Sequence, residues 1–429
     1  LFYTDGSFIW DRNNNLMPRN FLIPGGIGNL GGNSTSTSSA LIIQNPGNSN
    51  QYYVFTIAPE AGSIPTLIPF SGLSYVVVDM TLNGGFGDFL QDPIVLIEPT
   101  SEKVTATPHC NGSDYWILTH EWNSNRFFAF QLTASGINPP VISSSGIAHT
   151  DADNNGGFVE AIGYMKCSPD GSKVALAIQT PLNVVEVFDF DNASGQVSNP
   201  TMTDLNFTPF DPITGGPYGI SFSPNSQLLY STFFSFDTCK VFQYDLTQAN
   251  PLSSRVTLYE LPVDFTVSAA LIGALQLAPD GKIYVTIAND IFLSTIENPN
   301  IPGTGCNYTN FSVTFTPENY PAYGLPTFND YLFRTFPDSI IVRDSCAGFE
   351  TQLVLNDTAG IISVLWNFGD PASGLANQSN ALSPNHTFLD PGIYTVTSIL
   401  QEKCRIDTII QDIEIVACGI PCEAFLTAE

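Results

Sequence analysis

The stretch GSDYWILTHEWNSNRFFAFQLTASG (residues 112–136) contains two strand-like runs separated by a short polar turn. Three later segments have the same form: GSKVALAIQTPLNVVEVFDFDNASG (171–195), NSQLLYSTFFSFDTCKVFQYDLTQAN (225–250) and DGKIYVTIANDIFLSTIENPNIPG (280–303). Their starts are 59, 54 and 55 residues apart. Alternating or continuous apolar runs of this length predict strands, and none of these segments has apolar residues at helical spacing. The chain therefore contains a repeated two-strand unit.

Each repeat also has a strand-like run before it, such as YGISFSPN, and a weaker one after it, such as RVTLYELP. Four strands in about 50 residues are typical of a β-propeller blade. Residues 38–99 supply a longer fifth unit. We therefore predict an all-β protein whose residues 1–335 form a six-bladed β-propeller. Seven blades are the alternative, if the long first unit contains two.

The two ends of this region predict how the ring closes. YGLPTFNDYLF (323–333) matches the innermost strand of a blade, but no second and third strands follow it. The missing hairpin is present at the other end, as LFYTDGSFIWDRN (1–13). A blade built from both chain ends leaves no free sheet edge. We expect residues 1–20 to close the ring with residues 322–334, the hairpin pairing with the strand around Leu325–Leu332.

A second domain is predicted over residues 337–416, where short strands follow one another at the spacing of a β-sandwich. Alternation buries Trp366 and Phe368, and turns are expected at Gly369-Asp370 and Pro391-Gly392. The segment WNFGDPASG…SPNHTFLDPGIYTVT resembles a PKD domain, an Ig-like sandwich of surface and secreted proteins; Pro371 stands where that family more often has Gly. The matching residues are Trp366, Phe368, Gly369, Asp370, Pro384, His386, Phe388, Pro391, Gly392, Tyr394 and Val396.

The first region resembles, through LFYTDGSFIWDRNNNLMP, HCNGSDYWILTHEWNSN and GYMKCSPDGSKVA, the propellers of WD40 or YVTN-like type that precede PKD modules in Bacteroidota surface proteins. This resemblance implies a type IX secretion cargo. We expect residues 417–429 to be a linker to a missing C-terminal segment, and a targeting segment to have been removed from the other end. The expected location is extracellular or on the outer cell surface.

Composition restricts the partners. There are 13 Lys and Arg residues against 40 Asp and Glu residues, which gives a net charge of −27. Because nucleic-acid affinity comes mainly from basic residues, a nucleic-acid partner is excluded. Membrane insertion is not expected, because the longest apolar run, VSAALIGALQLA (267–278), is shorter than the roughly 20 residues that a spanning helix needs.

The motif DADNNGG (151–157) predicts a calcium site. Asp151, Asp153 and Asn155 have the spacing at which a calcium loop begins, and Glu160 is the nearest further acid. Ile162 occupies the position of an EF-hand glutamate. A solvated acidic loop is the alternative. His109, His120 and His149 lie within one blade and are expected to be packing residues rather than zinc ligands.

Eight scattered cysteines in a chain poor in lysine indicate disulfides and an oxidising compartment. The expected pairs are Cys346–Cys404, Cys110–Cys167, Cys239–Cys306 and Cys418–Cys422. The Bacteroidota resemblance also implies O-glycosylation at D-[ST]-x sites, which are Ser339, Thr358, Thr408, Thr238 and Ser345.

No catalytic motif is present, so the sequence predicts a non-enzymatic protein. Its propeller would bind a glycan or protein on a surface, with the PKD domain as a spacer. One alternative is a structural subunit that binds other subunits of a surface fibre or secreted assembly. The other is a propeller hydrolase or lyase acting on polysaccharide. Two carboxylates and an aromatic platform in the central channel would favour the enzyme.

Overall fold

The computed structural model describes residues 2–23, 27–58, 72–150, 159–205, 215–235, 237–263, 271–288, 290–316, 321–334, 338–358 and 360–418. The chain divides into two compact units, Leu1–Thr335 and Phe336–Glu429. Both units are built from strands, and every helix among the described residues is a short 3-10 helix. None of these helices is long and apolar enough to cross a membrane.

The first unit contains 26 strands and five 3-10 helices within its described residues. The strands are β1 (Phe2–Thr4), β2 (Ile9–Asp11), β3 (Leu22–Ile23), β4 (Ile27–Gly28), β5 (Ala40–Asn45), β6 (Asn48–Ile57), β7 (Leu73–Asp79), β8 (Asp88–Phe89), β9 (Ile94–Ile97), β10 (Thr100–Pro108), β11 (Tyr115–Glu121), β12 (Ser124–Thr133), β13 (Gly136–Ile137), β14 (Val141–His149), β15 (Met165–Cys167), β16 (Lys173–Ile178), β17 (Val184–Asp191), β18 (Gln196–Asp204), β19 (Gly216–Phe222), β20 (Leu228–Phe234), β21 (Thr238–Asp245), β22 (Val256–Pro262), β23 (Leu271–Leu277), β24 (Ile283–Ala288), β25 (Phe292–Ile296) and β26 (Tyr308–Thr314). The helices are η1 (Asn83–Gly85), η2 (Val159–Ala161), η3 (Pro251–Ser254), η4 (Gly303–Cys306) and η5 (Asp330–Phe333).

Strands β5 to β26 form five antiparallel sheets of four or five strands, each from one continuous stretch of chain. We number them sheet 1 (β5–β9), sheet 2 (β10–β14), sheet 3 (β15–β18), sheet 4 (β19–β22) and sheet 5 (β23–β26). In every sheet the first strand lies at one edge and pairs with the second. The four repeats of the sequence become the second and third strands of sheets 2 to 5.

The sheets pack face to face in chain order. Phe55 of sheet 1 and Ile117 of sheet 2 belong to one buried cluster, and the rings of Phe127 and Phe188 join sheets 2 and 3 with centroids 5.1 Å apart. Two further clusters join sheet 3 to sheet 4 and sheet 4 to sheet 5. Sequential stacking of small antiparallel sheets is the arrangement of a β-propeller.

The first strands of the sheets lie side by side. Tyr164 N, just before β15, donates to Tyr218 O of β19 (2.9 Å), and Ser38 N donates to Glu102 O of β10 (3.2 Å). The segment after β26, residues 321–334, contacts both ends of this series. Its Tyr323 O accepts from Ala274 N of β23 (3.0 Å), and its Thr327 forms a parallel bridge with Leu41 of β5. This segment, called the closing segment below, therefore links sheet 5 back to sheet 1.

The N-terminal hairpin differs from the prediction. Strands β1 and β2 form a two-stranded sheet, and the expected pairing with Leu325–Leu332 is absent from the described residues. The backbone of the closing segment is used on β23 and β5 instead, and it continues into η5. The hairpin packs its buried side chains on the face of sheet 1 opposite sheet 2, where Ile9 and Met17 join Val54, Val76 and Phe89 in one cluster.

The second unit is a sandwich of two sheets. Its strands are β27 (Ile340–Arg343), β28 (Glu350–Leu355), β29 (Ile361–Asn367), β30 (Gln378–Ser379), β31 (Asn385–Thr387), β32 (Gly392–Glu402) and β33 (Ile406–Ile415), with η6 (Pro371–Asn377) between β29 and β30. The sheet orders are β27-β28-β31 and β30-β29-β32-β33. Trp366 is fully buried, and its Nε1 donates to Ala381 O (2.9 Å). His386 stacks on Phe368 with ring centroids 4.3 Å apart.

The predicted disulfide pairs are wrong. Cys346 bonds with Cys418, with a Cα–Cα distance of 5.4 Å, because the end of β33 returns to Cys346 through a bridge at Val416. This excludes the pairs Cys346–Cys404 and Cys418–Cys422, and Cys404 is itself disulfide-bonded. Cys167, Cys239 and Cys306 are buried free thiols, which excludes Cys110–Cys167 and Cys239–Cys306. A disulfide indicates an oxidising, non-cytoplasmic compartment.

Truncation of Ile9 should destabilise the first unit. Its side chain is fully buried between the hairpin and sheet 1, so Ile9→Ala is expected to lower the free energy of unfolding by about 2–5 kcal/mol. Leu22→Ala, at a side chain that is 64% exposed, is the matched control and should cost less than about 1 kcal/mol. Urea denaturation measures both, and equal losses would contradict the packing role of the hairpin.

The disulfide pairing can be tested directly. Non-reducing peptide mapping should recover Cys346 linked to Cys418. Recovery of Cys346 linked to Cys404 would contradict the structure. Because the bond joins residues 72 positions apart, the double variant Cys346→Ser/Cys418→Ser should lose about 2–5 kcal/mol of unfolding free energy in the second unit.

Candidate active site

A group of ionisable side chains is buried beside the starts of β10 and β15. It consists of Glu102, Lys103, His120, His149 and Glu160, and we call it the Lys103 cluster. All five are at least 93% buried. Buried ionisable groups without a structural role are candidates for chemistry.

Lys103 lies at the centre of the cluster. Strand β10 is an edge strand of sheet 2 and is irregular between Thr100 and Val104, and the Lys103 side chain leaves it towards η2. Its Nζ donates to Ala161 O (2.7 Å) and Ile162 O (3.2 Å). Burial lowers the pKa of Lys103 to about 7, although the charges of Glu102 and Glu160 oppose this shift. The amine can therefore exchange a proton near neutral pH.

The two carboxylates are held by the backbone on either side of Lys103. Glu102 Oε2 accepts from Thr37 N (2.9 Å) and from Thr37 Oγ1 (3.0 Å). The same Thr37 hydroxyl accepts from Gly163 N (3.2 Å), which connects the segment before β5 to the segment before β15. Glu160, in η2, accepts from Thr150 N through Oε2 (2.7 Å).

His120 and His149 form a stacked pair. Their ring centroids are 3.8 Å apart with an interplanar angle of 15°, and Phe127 packs edge-on against His120. Burial lowers the pKa of His120 to about 3, and the nearby Lys103 charge adds to the effect. The pKa of His149 is also lowered, mainly by burial. Among the described residues, neither ring nitrogen of His149 has a hydrogen-bond partner. Such orphaned buried nitrogens require an explanation.

Three tyrosines lie next to the cluster. Tyr164 and Tyr218 meet at 5.4 Å between ring centroids, nearly perpendicular, and Tyr218 meets Tyr323 of the closing segment at 4.5 Å. Tyr164 Oη donates to Leu325 O (2.9 Å). Burial, followed by the neighbouring Tyr164 and the Glu102 charge, raises the pKa of Tyr218. This tyrosine group therefore adjoins the carboxylates.

A second buried ionic group lies further along the same strands. Lys166 Nζ donates to Gln276 Oε1 (2.5 Å) and lies 3.4 Å from Asp330 Oδ1. Gln276 Nε2 also donates to Asp330 Oδ1 (2.9 Å). Burial lowers the pKa of Lys166 and raises that of Asp330, while their mutual attraction opposes both shifts. Because Lys166, Gln276 and Asp330 Oδ1 are bonded to one another, we assign this group a structural role.

The structure describes only some of the calcium and O-glycosylation residues that the sequence predicts. Asp151, Asp153 and Asn155 lie outside the described residues, so the calcium prediction is untested; Glu160 is buried in the Lys103 cluster. No group of three metal-ligating side chains occurs among the described residues. Thr408 is exposed, and the other four predicted O-glycosylation sites, Ser339, Thr358, Thr238 and Ser345, are partly exposed.

The sequence analysis did not predict a role for Lys103, although a lysine inside the strand TSEKVTATP is an unusual residue at such a position.

No family model matches the sequence, and neither does any curated protein. Solved structures do resemble it. The periplasmic gluconolactonase of Pseudomonas aeruginosa is 13% identical, with 95% of this chain and 97% of that chain covered and a TM-score of 0.44. A Bacteroides fragilis protein, named provisionally as a 6-phosphogluconolactonase, is 14% identical, with 89% and 90% covered and a TM-score of 0.42. The hydrazine synthase of Kuenenia stuttgartiensis is 10% identical, with 88% and 96% covered and a TM-score of 0.37.

These comparisons contradict the predicted non-enzymatic adhesion protein. All three structures are named after enzymes, two of them after lactonases. They agree better with the alternative that the sequence left open, a propeller hydrolase. At these TM-scores the similarity assigns no reaction to this chain, so the candidate reaction has to be argued from the Lys103 cluster.

The histidine pair should make the protein sensitive to mild acid. A pKa that is lower in the folded state than the usual value of about 6.5 means that stability is lost as pH falls from 6.5 towards 3. Between pH 7 and pH 5 each histidine should cost about 2 kcal/mol of unfolding free energy. Glu186, whose pKa burial raises to about 7, acts in the opposite direction over this window.

A variant comparison isolates the histidines. Urea unfolding at pH 7 and pH 5 should show a smaller acid-induced loss in His120→Gln/His149→Gln than in the wild type. The Glu186 contribution is common to both proteins and cancels. His109→Gln, which changes the histidine that stacks on Trp116, is the control and should keep the wild-type pH dependence. An unchanged loss in the double variant would contradict the buried neutral pair.

Proposed function

We propose that the first unit is a hydrolase that opens the ester bond of a sugar lactone, with its acid–base groups in the Lys103 cluster. The observation that carries this proposal is the convergence of Glu102, Glu160 and an amine of near-neutral pKa beside the tyrosine group. Two carboxylates and an aromatic platform are the combination that distinguishes an enzyme from a binding module here. A sugar lactone is the ester to test first, because two of the similar structures carry lactonase names.

The reaction needs a base for water and a donor for the oxyanion. A carboxylate of Glu102 or Glu160 takes a proton from water while the water oxygen bonds to the lactone carbonyl carbon. The resulting oxyanion is stabilised by positive charge or an N–H donor. An ammonium has three N–H donors, and Lys103 directs two of them at Ala161 O and Ile162 O; the third can serve the oxyanion. The ring C–O bond then breaks, and the leaving oxygen takes the proton from the carboxyl group.

The number of blades and the role of the second unit are further proposals. We infer six blades: the five sheets, and a sixth position made by the closing segment and the N-terminal hairpin. The contacts of Tyr323 with β23 and of Thr327 with β5 support this count. We also propose that the second unit is a PKD-type spacer, supported by the buried Trp366 and Phe368. Type IX export to the cell surface, calcium binding and O-glycosylation stay predictions.

Carboxylate substitutions test the proposed reaction. Substitution of the carboxylate that accepts the proton, Glu102→Gln or Glu160→Gln, should lower kcat for D-glucono-1,5-lactone by about 10²–10⁴-fold, because it removes the proton-transfer group. Acid release is measured in a pH-stat after subtraction of the uncatalysed rate. Glu260→Gln is the control, because Glu260 pairs with Lys240 on an exposed surface, and it should keep full activity. Wild-type protein without activity above background would refute the proposal.

A further inference from the structure

A lysine, a glutamine and an aspartate meet in the core of the first unit. Lys166 is in β15 of sheet 3, Gln276 is in β23 of sheet 5, and Asp330 begins η5 of the closing segment. The exposed fractions of these residues are 0%, 5% and 2%. The three side chains come from distant parts of the chain, so the group exists only in the folded unit.

The carbonyl carbon of the Gln276 side chain lies within reach of the Lys166 amine. Lys166 Nζ is 2.5 Å from Gln276 Oε1. Because a C=O bond is about 1.23 Å long, Gln276 Cδ is at most about 3.7 Å from this nitrogen. Bond formation needs reacting atoms at about 3–3.5 Å. Gln276 Nε2 donates to Leu277 O (2.7 Å) and Asp330 Oδ1 (2.9 Å), which keeps the carbonyl oxygen turned towards Lys166.

Asp330 contacts both nitrogen atoms between which a proton would have to move. Its Oδ1 accepts from Gln276 Nε2 and lies 3.4 Å from Lys166 Nζ. Its Oδ2 has no hydrogen-bond partner within the described part of the chain. An ionised carboxylate with an unsatisfied oxygen is costly to bury, so transfer of a proton from Lys166 to Asp330 is favoured. Burial acts in the same direction, because it lowers the pKa of Lys166 and raises that of Asp330.

We propose that Lys166 forms a covalent amide bond with Gln276 inside the folded first unit, with Asp330 as the proton carrier and ammonia as the leaving group. The product is a cross-link between sheet 3 and sheet 5. No channel for a substrate is needed, because both reacting groups belong to the chain. Burial of the three side chains keeps water from competing with the amine. The cross-link is independent of the proposed reaction at the Lys103 cluster.

The reaction exchanges one amide for another and needs no oxidant or reductant. The Lys166 ammonium gives one proton to the Asp330 carboxylate, which leaves a neutral amine and a carboxyl group. The lone pair of Nζ then forms a bond to Gln276 Cδ. Asp330 gives its proton to Gln276 Nε2 and receives one from Nζ, the Cδ–Nε2 bond breaks, and ammonia leaves. A buried ion pair is thereby replaced by a neutral amide and a neutral carboxyl group, which removes the cost of burying two charges.

Mass spectrometry of the wild-type protein tests the proposal. The folded chain, after reduction of its disulfides, should be lighter than its sequence by the mass of one ammonia molecule. Tryptic digestion should leave the chain uncut after Lys166 and should yield one branched peptide that contains both Lys166 and Gln276. A chain of full mass, or a loss of ammonia that maps to other residues, overturns the proposal.

Electrophoresis gives a second readout. The cross-link closes a loop between residues 110 positions apart, so the wild-type chain remains more compact in detergent. Under reducing conditions it should migrate ahead of Lys166→Met, which cannot form the bond. Equal migration of the two chains would count against the cross-link.

Substitutions test the role of each group. Gln276→Met, like Lys166→Met, should have the full mass of its sequence. Asp330→Asn keeps the shape of the side chain but cannot carry the proton, so ammonia loss during cell-free synthesis should be at least about 100-fold slower. Lys173→Met removes a partly exposed lysine of sheet 3 that pairs with Asp189, and this control should still lose ammonia. An unchanged rate in Asp330→Asn would refute its role as carrier. Where a variant does not fold, the wild-type mass alone decides the proposal.

Discussion

The ion pair of Lys166 and Asp330 is the interaction on which the first unit depends most directly. Both side chains are fully buried, and a buried charge without its partner is strongly destabilising. Gln276 bonds to both of them, so sheet 3, sheet 5 and the closing segment must keep fixed relative positions. Tyr164 begins the same stretch of chain as Lys166, and its hydroxyl bonds to Leu325. The ionic group therefore also fixes the tyrosines beside the candidate active site.

The Lys103 cluster follows from how the sheets stack. A propeller-like unit places the first strand of every sheet next to the first strand of its neighbours, so residues from distant parts of the chain meet there. Glu102 meets Thr37 in the segment that leads into sheet 1, and Lys103 reaches the backbone that leads into sheet 3. These groups are buried, so electrostatic effects between them are strong. The same burial that makes the groups costly for folding shifts the Lys103 pKa towards neutrality.

The repeats made the sheets predictable, because each two-strand pattern carries its own alternation and turn. The paired strands β11–β12, β16–β17, β20–β21 and β24–β25 lie in the four repeated segments. The repeat pattern could not predict the disulfide, because the spacing of cysteines in the sequence does not determine which Cβ atoms meet in the fold. Cys418 reaches Cys346 because β33 ends beside it. The Lys103 cluster could not be predicted from the sequence for a related reason. Glu102 adjoins Lys103 in the sequence, but His149 and Glu160 follow Lys103 by 46 and 57 residues, and only the fold brings them to it.

The three buried thiols of the first unit have a consequence for biogenesis. Cys167, Cys239 and Cys306 each lie in a core between sheets, and burial raises the pKa of Cys167 to about 12 and that of Cys239 to about 11. Only thiolates attack disulfides, so the native core makes these cysteines inert. Before the sheets stack, however, they are ordinary thiols in an oxidising compartment. The order of events during maturation is therefore constrained: the stacking of sheets must outpace oxidation, or scrambled bonds trap the chain.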